Sequence, residues 1–271
     1  MALLDGNKAA NENLLVAAKF AATAALKSPR VAGTEIKTEI LTGEELLPVS
    51  EILGIVGESN AFVYGDSICI KKAYEKGTPV TALLIGANVV ISDLGWNCGA
   101  CGFDTCAEFN KYSKEHRSAG VFYTGPSCNW KVFDVGMAVS YAAAALANLN
   151  VENRVQASTG FGALNLGYLE GCTISTGIVL GPVTDFYYYD RPEMEHSFDL
   201  REHQEFVMNC LPQMYLSFVG GGHPVIKDKD NFFVDQKCLK PVVDSKFLVK
   251  QQDIMRRVVE VIEREKKNKQ G

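Results

Sequence analysis

Three cysteines stand within nine residues in the stretch NCGACGFDTC, at Cys98, Cys101 and Cys106. No other feature of the chain restricts its fold and chemistry as strongly. Thiols this close bond to one another, hold a metal, or act as a redox pair, and each outcome demands a tightly turned backbone. A two-residue gap lets two thiolates face one point. Gly99 and Ala100 leave room beside the backbone for inorganic sulfide. Gly102 suits a positive φ, which would aim backbone N–H groups at the sulfurs.

The compartment narrows the choice. The chain has 271 residues, a formal charge of −5, 47% hydrophobic and 22% charged residues, which is ordinary globular composition. A negative field repels nucleic acid and anionic membrane surfaces, so neither is an expected partner. The opening MALLDGNKAANENLL lacks the basic start and unbroken apolar run of a secretory signal. The most apolar window, 135–149, falls short of the roughly 20 residues a bilayer span needs. A cytoplasmic protein is the expectation, and there thiols stay reduced and stable disulfides are rare.

A cluster of iron and sulfide needs a fourth thiol. Cys128, in TGPSCNW, is the best placed: it lies 22 residues beyond Cys106, behind a Gly-Pro turn and past a helix that returns the chain. Zinc, a thioredoxin-like CxxC and a cofactor-free bystander remain alternatives, each with a weakness. Structural zinc usually takes two CxxC pairs or a Cys/His mixture, and the nearest histidine, His116, sits on a charged helix. A thioredoxin-like pair has no use for Cys106 or Cys128. Cys69, Cys172, Cys210 and Cys238 are isolated, and the first two read as small hydrophobes in apolar strands.

Apolar periodicity outlines the rest. Residues 11–27 read as an amphipathic helix stopped by Ser28-Pro29, and 35–41 as an edge strand. Residues 62–70 fit strand or helix equally. VTALLIGANVVI (80–91) is the clearest buried strand and leads directly into the cysteines. A short polar helix follows over 105–117, a small-residue helix over 134–148, a further helix over 156–169, and a strand over 172–180. The composition shifts near Pro192. Residues 1–192 are expected to form one body with the cysteine segment at 96–130, and 193–271 an extension ending in an amphipathic helix over 245–269.

The strings NCGACGFDTCAEF, GPSCNWKVFDVGMAV, NVENR and YYDR together resemble an uncharacterised family of ferredoxin domain-containing proteins. The likeness spans roughly residues 10–192. It implies that Cys98, Cys101, Cys106 and Cys128 ligate a [4Fe–4S] cluster.

That family is in turn similar in layout to FMN-dependent nitroreductases. The similarity implies an α+β fold, a mixed or antiparallel sheet flanked by helices, and a homodimer with 134–148 near its interface. DVGMAVSYAAAALANLNVENRVQASTGFGALNLGYLEGCTIS resembles the nitroreductase central helix pair. GIVLGPVTDFYYYDRP resembles a strand ending in a phosphate-binding arginine, which makes Arg191 the phosphate candidate. Arg154 and Arg30 are further available cations, although an ion pair with Glu152 or Asp190 is an ordinary role for Arg154 or Arg191. The nitroreductase pattern also places an arginine pair before its first helix, and residues 1–13 contain no arginine. That departure tells against FMN.

Two functions follow from this reading. One is an oxidoreductase passing electrons through the cluster to a flavin or a small-molecule substrate. The other is a non-enzymatic iron–sulfur carrier or sensor serving a redox partner.

Overall fold

The computed structural model describes residues 3–58, 60–119, 123–183 and 245–270. Helix α1 (Gly6–Leu26) opens with Asp5, whose carboxylate accepts from the Lys8 N–H at 2.8 Å. Its buried residues Leu14, Ala17, Ala18, Ala21 and Ala25 recur at helical spacing and form one apolar stripe. Strand β1 (Lys37–Thr42) follows. A short 3-10 turn then leads into α2 (Leu47–Gly57), which has a proline in its first turn.

The ambiguous stretch at 62–70 is helical. It belongs to α3 (Ala61–Glu75), so Cys69 is a buried helix residue and not a strand residue. At the α2–α3 corner a side chain at Gly57 would lie 2.6 Å from the Tyr64 backbone, so only glycine admits this approach.

Strand β2 (Thr81–Ala87) is buried at every position, as its unbroken apolar run requires, but it ends four residues before the apolar run does. Then come α4 (Cys106–Glu115), the two-residue strands β3 (Ser118–Ala119) and β4 (Thr124–Gly125), and α5 (Asn129–Asn148). The helix expected over 156–169 is shortened at both ends. Asn153–Gln156 forms strand β5, and α6 (Ala157–Asn165) starts immediately after it. Strand β6 (Ile174–Leu180) begins beyond Cys172, which therefore precedes the strand.

The four principal strands form one sheet in the order β1-β2-β6-β5, antiparallel throughout, with β1 at an edge. Alternation along β2 divides the core. Ala82 and Leu84 join Val49, Leu53, Cys69 and Leu169 beneath α2, α3 and α6. Leu83, Ile85 and Ala87 join Ala18, Ala138, Ala142 and Leu146 beneath α1 and α5. The alanines of α1 and α5 let the two helices pack side by side over that face.

Helix α7 (Ser245–Gln270) rests on α2. It buries Ile254, Val258 and Val261 and pairs Arg257 with Glu58 and Arg264 with Glu51. Among the described residues no helix is long and apolar enough to cross a membrane. The boundary expected at Pro192, Arg191, and the isolated Cys210 and Cys238 lie outside the described residues.

Candidate metal centre

The chain leaving β2 is gripped from three sides. Val89 N–H donates to the Thr173 hydroxyl oxygen at 3.0 Å, and Val90 C=O accepts from the Ser113 hydroxyl at 2.7 Å. Asn110 of α4 holds both polar groups of the Ser92 backbone: the Ser92 N–H donates to its Oδ1 and its Nδ2 donates to the Ser92 carbonyl, each at 2.7 Å. The Cys128 N–H donates to Val89 C=O at 2.8 Å. These bonds deliver the start of α5 to the loop that carries the other cysteines.

All four cysteines named from the motif line one pocket, together with Ser92, Trp96, Asn97 and Trp130. Cys98 is exposed, Cys101 and Cys106 are half-buried, and Cys128 is buried. Two helices open on this pocket. Cys106 is the first residue of α4, where Thr105 and Glu108 form a reciprocal cap, and Cys128 immediately precedes the first turn of α5. Both helix N-termini place partial positive charge beside the sulfurs.

Positive-φ residues shape the loop that leads into α4. Gly95 and Asn97 have φ of 64° and 51°, and Gly99 and Gly102 have φ of 72° and 85°. Gly102 thus adopts the conformation its position in the motif suggests. The Cys106 thiol is held below the ordinary thiol range, first by the Ser92 hydroxyl and then by the backbone N–H of Asn97, with smaller help from Trp96 and Gly95. Successive backbone N–H groups in such a turn form a concavity that receives anions.

An aromatic wall closes one side. Trp96 and Trp130 meet edge to face at 6.0 Å, and Trp130 continues to Phe133 at 6.2 Å. The Trp130 indole N–H is buried and has no hydrogen-bond partner among the described residues. An unmet buried donor costs roughly 1–3 kcal/mol, so this N–H suits an acceptor occupying the pocket. Asn129 Nδ2 donates to the Ala100 carbonyl, and Lys131 pairs with Asp93 at 2.7 Å, tying α5 to the loop. Lys131 holds the Asp93 carboxyl below its usual range.

The donor set therefore fits an anionic iron–sulfur group: four thiols, two helix N-termini and N–H donors, in a pocket walled by aromatic rings. Among the described residues no three Cys, His, Asp or Glu side chains converge tightly enough to share a single metal ion. His116 stacks on Tyr112 at 4.5 Å instead of facing the thiols.

Two of the three arginines named as flavin-phosphate candidates, Arg30 and Arg154, are engaged elsewhere. Arg30 donates to the Leu26 carbonyl and, at 2.8 Å, to the Thr34 carbonyl. Arg154 lies 3.9 Å from Asp66, which also accepts from the Ser158 hydroxyl at 2.5 Å. Arg154 is thus paired, with Asp66 in place of the neighbouring acids that sequence proximity suggested. Cys69 and Cys172 stand apart from the pocket, and burial pushes the Cys172 thiol up.

Residues 124–191 match the family described as "Uncharacterized protein containing a ferredoxin domain". The matched span includes Cys128 and all of α5 and stops short of the CGACGFDTC loop, which precedes it. The match supports the ferredoxin-domain family. The chain is also 29% identical over 190 residues to an uncharacterized protein of Archaeoglobus fulgidus, an alignment covering 70% of this chain and 97% of that one. No solved structure matches the chain.

Trp96 and Trp130 are marked in the sequence by flanking the two cysteine motifs. Ser92 and Asn110 instead reach the centre through the fold, with Ser92 touching a sulfur 14 residues away in the chain. Only the position of Ser92, between a buried strand and the first cysteine, marks it for inspection.

Proposed function

We propose that Cys98, Cys101, Cys106 and Cys128 hold a [4Fe–4S] cluster and that the protein works as an iron–sulfur electron carrier. The observation that carries this reading is that four thiols from two separate motifs line one pocket beside an unpartnered buried N–H. A cubane carries its own iron and sulfide between its ligands, so thiols spread round a pocket suit it better than they suit one zinc ion. Such a cluster supplies one-electron transfer at a potential set by hydrogen bonding and solvent exposure.

The residues have distinct parts in this reading. The N-termini of α4 and α5 and the N–H groups of Gly95, Trp96 and Asn97 offset the negative charge of the centre. Trp96 and Trp130 keep water from one side. Exposed Cys98 marks the side from which a redox partner would approach. A homodimer formed through α5, which exposes Phe133 and Tyr141, belongs to the same proposal. Light scattering tests it.

The oxidoreductase reading adds a flavin or a small-molecule substrate downstream of the cluster. Among the described residues, the engagement of Arg30 and Arg154 favours the carrier, because a flavin phosphate carries about two negative charges and needs several free donors. Protein purified without oxygen should be brown, with a broad band near about 400 nm that bleaches with dithionite and returns with an added oxidant. Additional bands of oxidised flavin would replace the carrier by the enzyme. A colourless protein would overturn both.

A further inference from the structure

We infer that Ser92 sets the potential of the centre: its hydroxyl hydrogen-bonds the Cys106 sulfur and so stabilises the reduced form of a cluster held there. This rests on the reading proposed above and adds a residue that neither cysteine motif marks.

Ser92 is buried, with 4% of its surface exposed, and its hydroxyl stands between two of the four sulfurs. It donates to Cys106 Sγ at 3.5 Å and lies 3.8 Å from Cys128 Sγ. A hydroxyl has one proton to give. With both sulfurs bound to iron neither has a proton to return, so Ser92 remains the donor and the nearer sulfur its acceptor.

The contact is held by a rigid element. Cys106 and Asn110 are four residues apart on α4 and share one face of that helix. Asn110 grips Ser92 through two bonds of 2.7 Å, so the helix that presents the sulfur also fixes the backbone of its donor. A free side-chain hydroxyl would choose among partners; here the backbone on either side of Ser92 has no slack.

The electrostatic consequence has a definite sign. Taking up one electron makes the cluster and its sulfurs more negative, with no bond made or broken at Ser92. A donor fixed beside a sulfur stabilises the more negative state more strongly, and low local polarity enlarges the effect. Ser92 therefore raises the reduction potential, and its loss lowers it.

Ser113 provides a control within the same helix. It is equally buried and donates at 2.7 Å to the Val90 carbonyl, but it touches no sulfur. Anaerobic spectroelectrochemical titration of the full-length wild type, Ser92→Ala, Ser92→Thr and Ser113→Ala tests the assignment, with iron and sulfide measured on each sample. The expected result is a negative shift in Ser92→Ala at unchanged cluster content, a wild-type potential in Ser92→Thr, and none of that shift in Ser113→Ala. Should Ser92→Ala fail to load, Ser92→Gly lacks the same hydroxyl and is expected to show the same shift. An unchanged potential in a loaded hydroxyl-free variant, or an equal shift in Ser113→Ala, overturns the assignment. Loss of the cluster from both hydroxyl-free variants replaces a tuning role with one in holding the cluster. A wild type with no cluster removes the functional reading itself, whereas a loaded wild type whose potential ignores Ser92 removes this assignment alone.

Discussion

Asp134 of α5 receives three donors from the loop after α1 into one of its carboxylate oxygens: the Ala32 N–H at 3.0 Å, the Thr34 N–H at 3.1 Å and the Thr34 hydroxyl at 2.8 Å. Its other oxygen accepts from the Val31 N–H at 2.7 Å, and the side chain is wholly buried. A loop that would otherwise hold several unmet donors is thereby fastened to the helix that Cys128 immediately precedes. Asp134→Ala leaves those donors buried without an acceptor and is expected to cost about 3 kcal/mol or more. Urea unfolding of the variant against the wild type checks this, and an unchanged midpoint would contradict it.

Substitution should divide the cysteines into two groups. Cys106→Ser and Cys128→Ser are expected to lose most of the bound iron and sulfide. Cys69→Ala should keep both, because Cys69 is a packed residue of α3 whose thiol donates to the Gly65 carbonyl at 3.4 Å. Iron and sulfide analysis after anaerobic purification separates the groups; equal loss at Cys69 would contradict the division.

Gly160 is held against the neighbouring strand. An added Cβ would sit 2.6 Å from the Ser175 carbonyl oxygen and the Thr176 backbone, and the Ser175 hydroxyl donates to the Gly160 carbonyl at 2.7 Å. Neither backbone has room to yield. Gly160→Ala should therefore destabilise the protein by about 1–3 kcal/mol through overpacking, read as a lower thermal midpoint with cluster content as a second measure.

Helix α7 should be weakened by acid. Arg257 donates to Glu58 at 2.6 and 2.5 Å and holds its carboxyl below the usual range. A lowered folded pKa means the stabilisation is present above the ordinary carboxylate value of about 4.3 and is lost as pH falls through the folded value. Glu58 is 46% exposed, so the pair contributes no more than about 1 kcal/mol. The difference in urea midpoint between wild type and Arg257→Ala is expected near neutrality and should vanish in strong acid. A difference that persists below the folded value would contradict this.

Much of the core was legible because its pattern is local. The apolar run in β2, the small-residue face of α5 and the charged stripe of α7 each fold as their periodicity suggests. Residues 62–70 resisted assignment because both faces of that stretch carry apolar residues, and period 2 and period 3.6 then look alike. The glycines of α6 read as weak helix formers, whereas Gly160 is there for close approach to β6. The same region hid a boundary: Gln156 ends β5, pairing with Gly177, and α6 starts at the next residue, with no turn residue between them.

The candidate site divides along the same line. Its cysteines are visible as spacing, and Gly102 as the residue permitting a positive φ. Ser92, Asn110 and Asp134 are ordinary polar residues until the fold brings a sulfur, a strand tail or a loop to them. Arg30 and Arg154 show the converse: their charge is plain in sequence, but their partners, the carbonyls of Leu26 and Thr34 and the carboxylate of Asp66, are set by tertiary packing.

The most direct test measures iron, acid-labile sulfide, zinc and flavin on one anaerobic sample of wild-type protein, with Cys128→Ser beside it. The account predicts about four iron and four sulfide per chain, little zinc, and loss of both iron and sulfide from the variant. Stoichiometric zinc without sulfide in the wild type, or a full complement of iron and sulfide in Cys128→Ser, would contradict it.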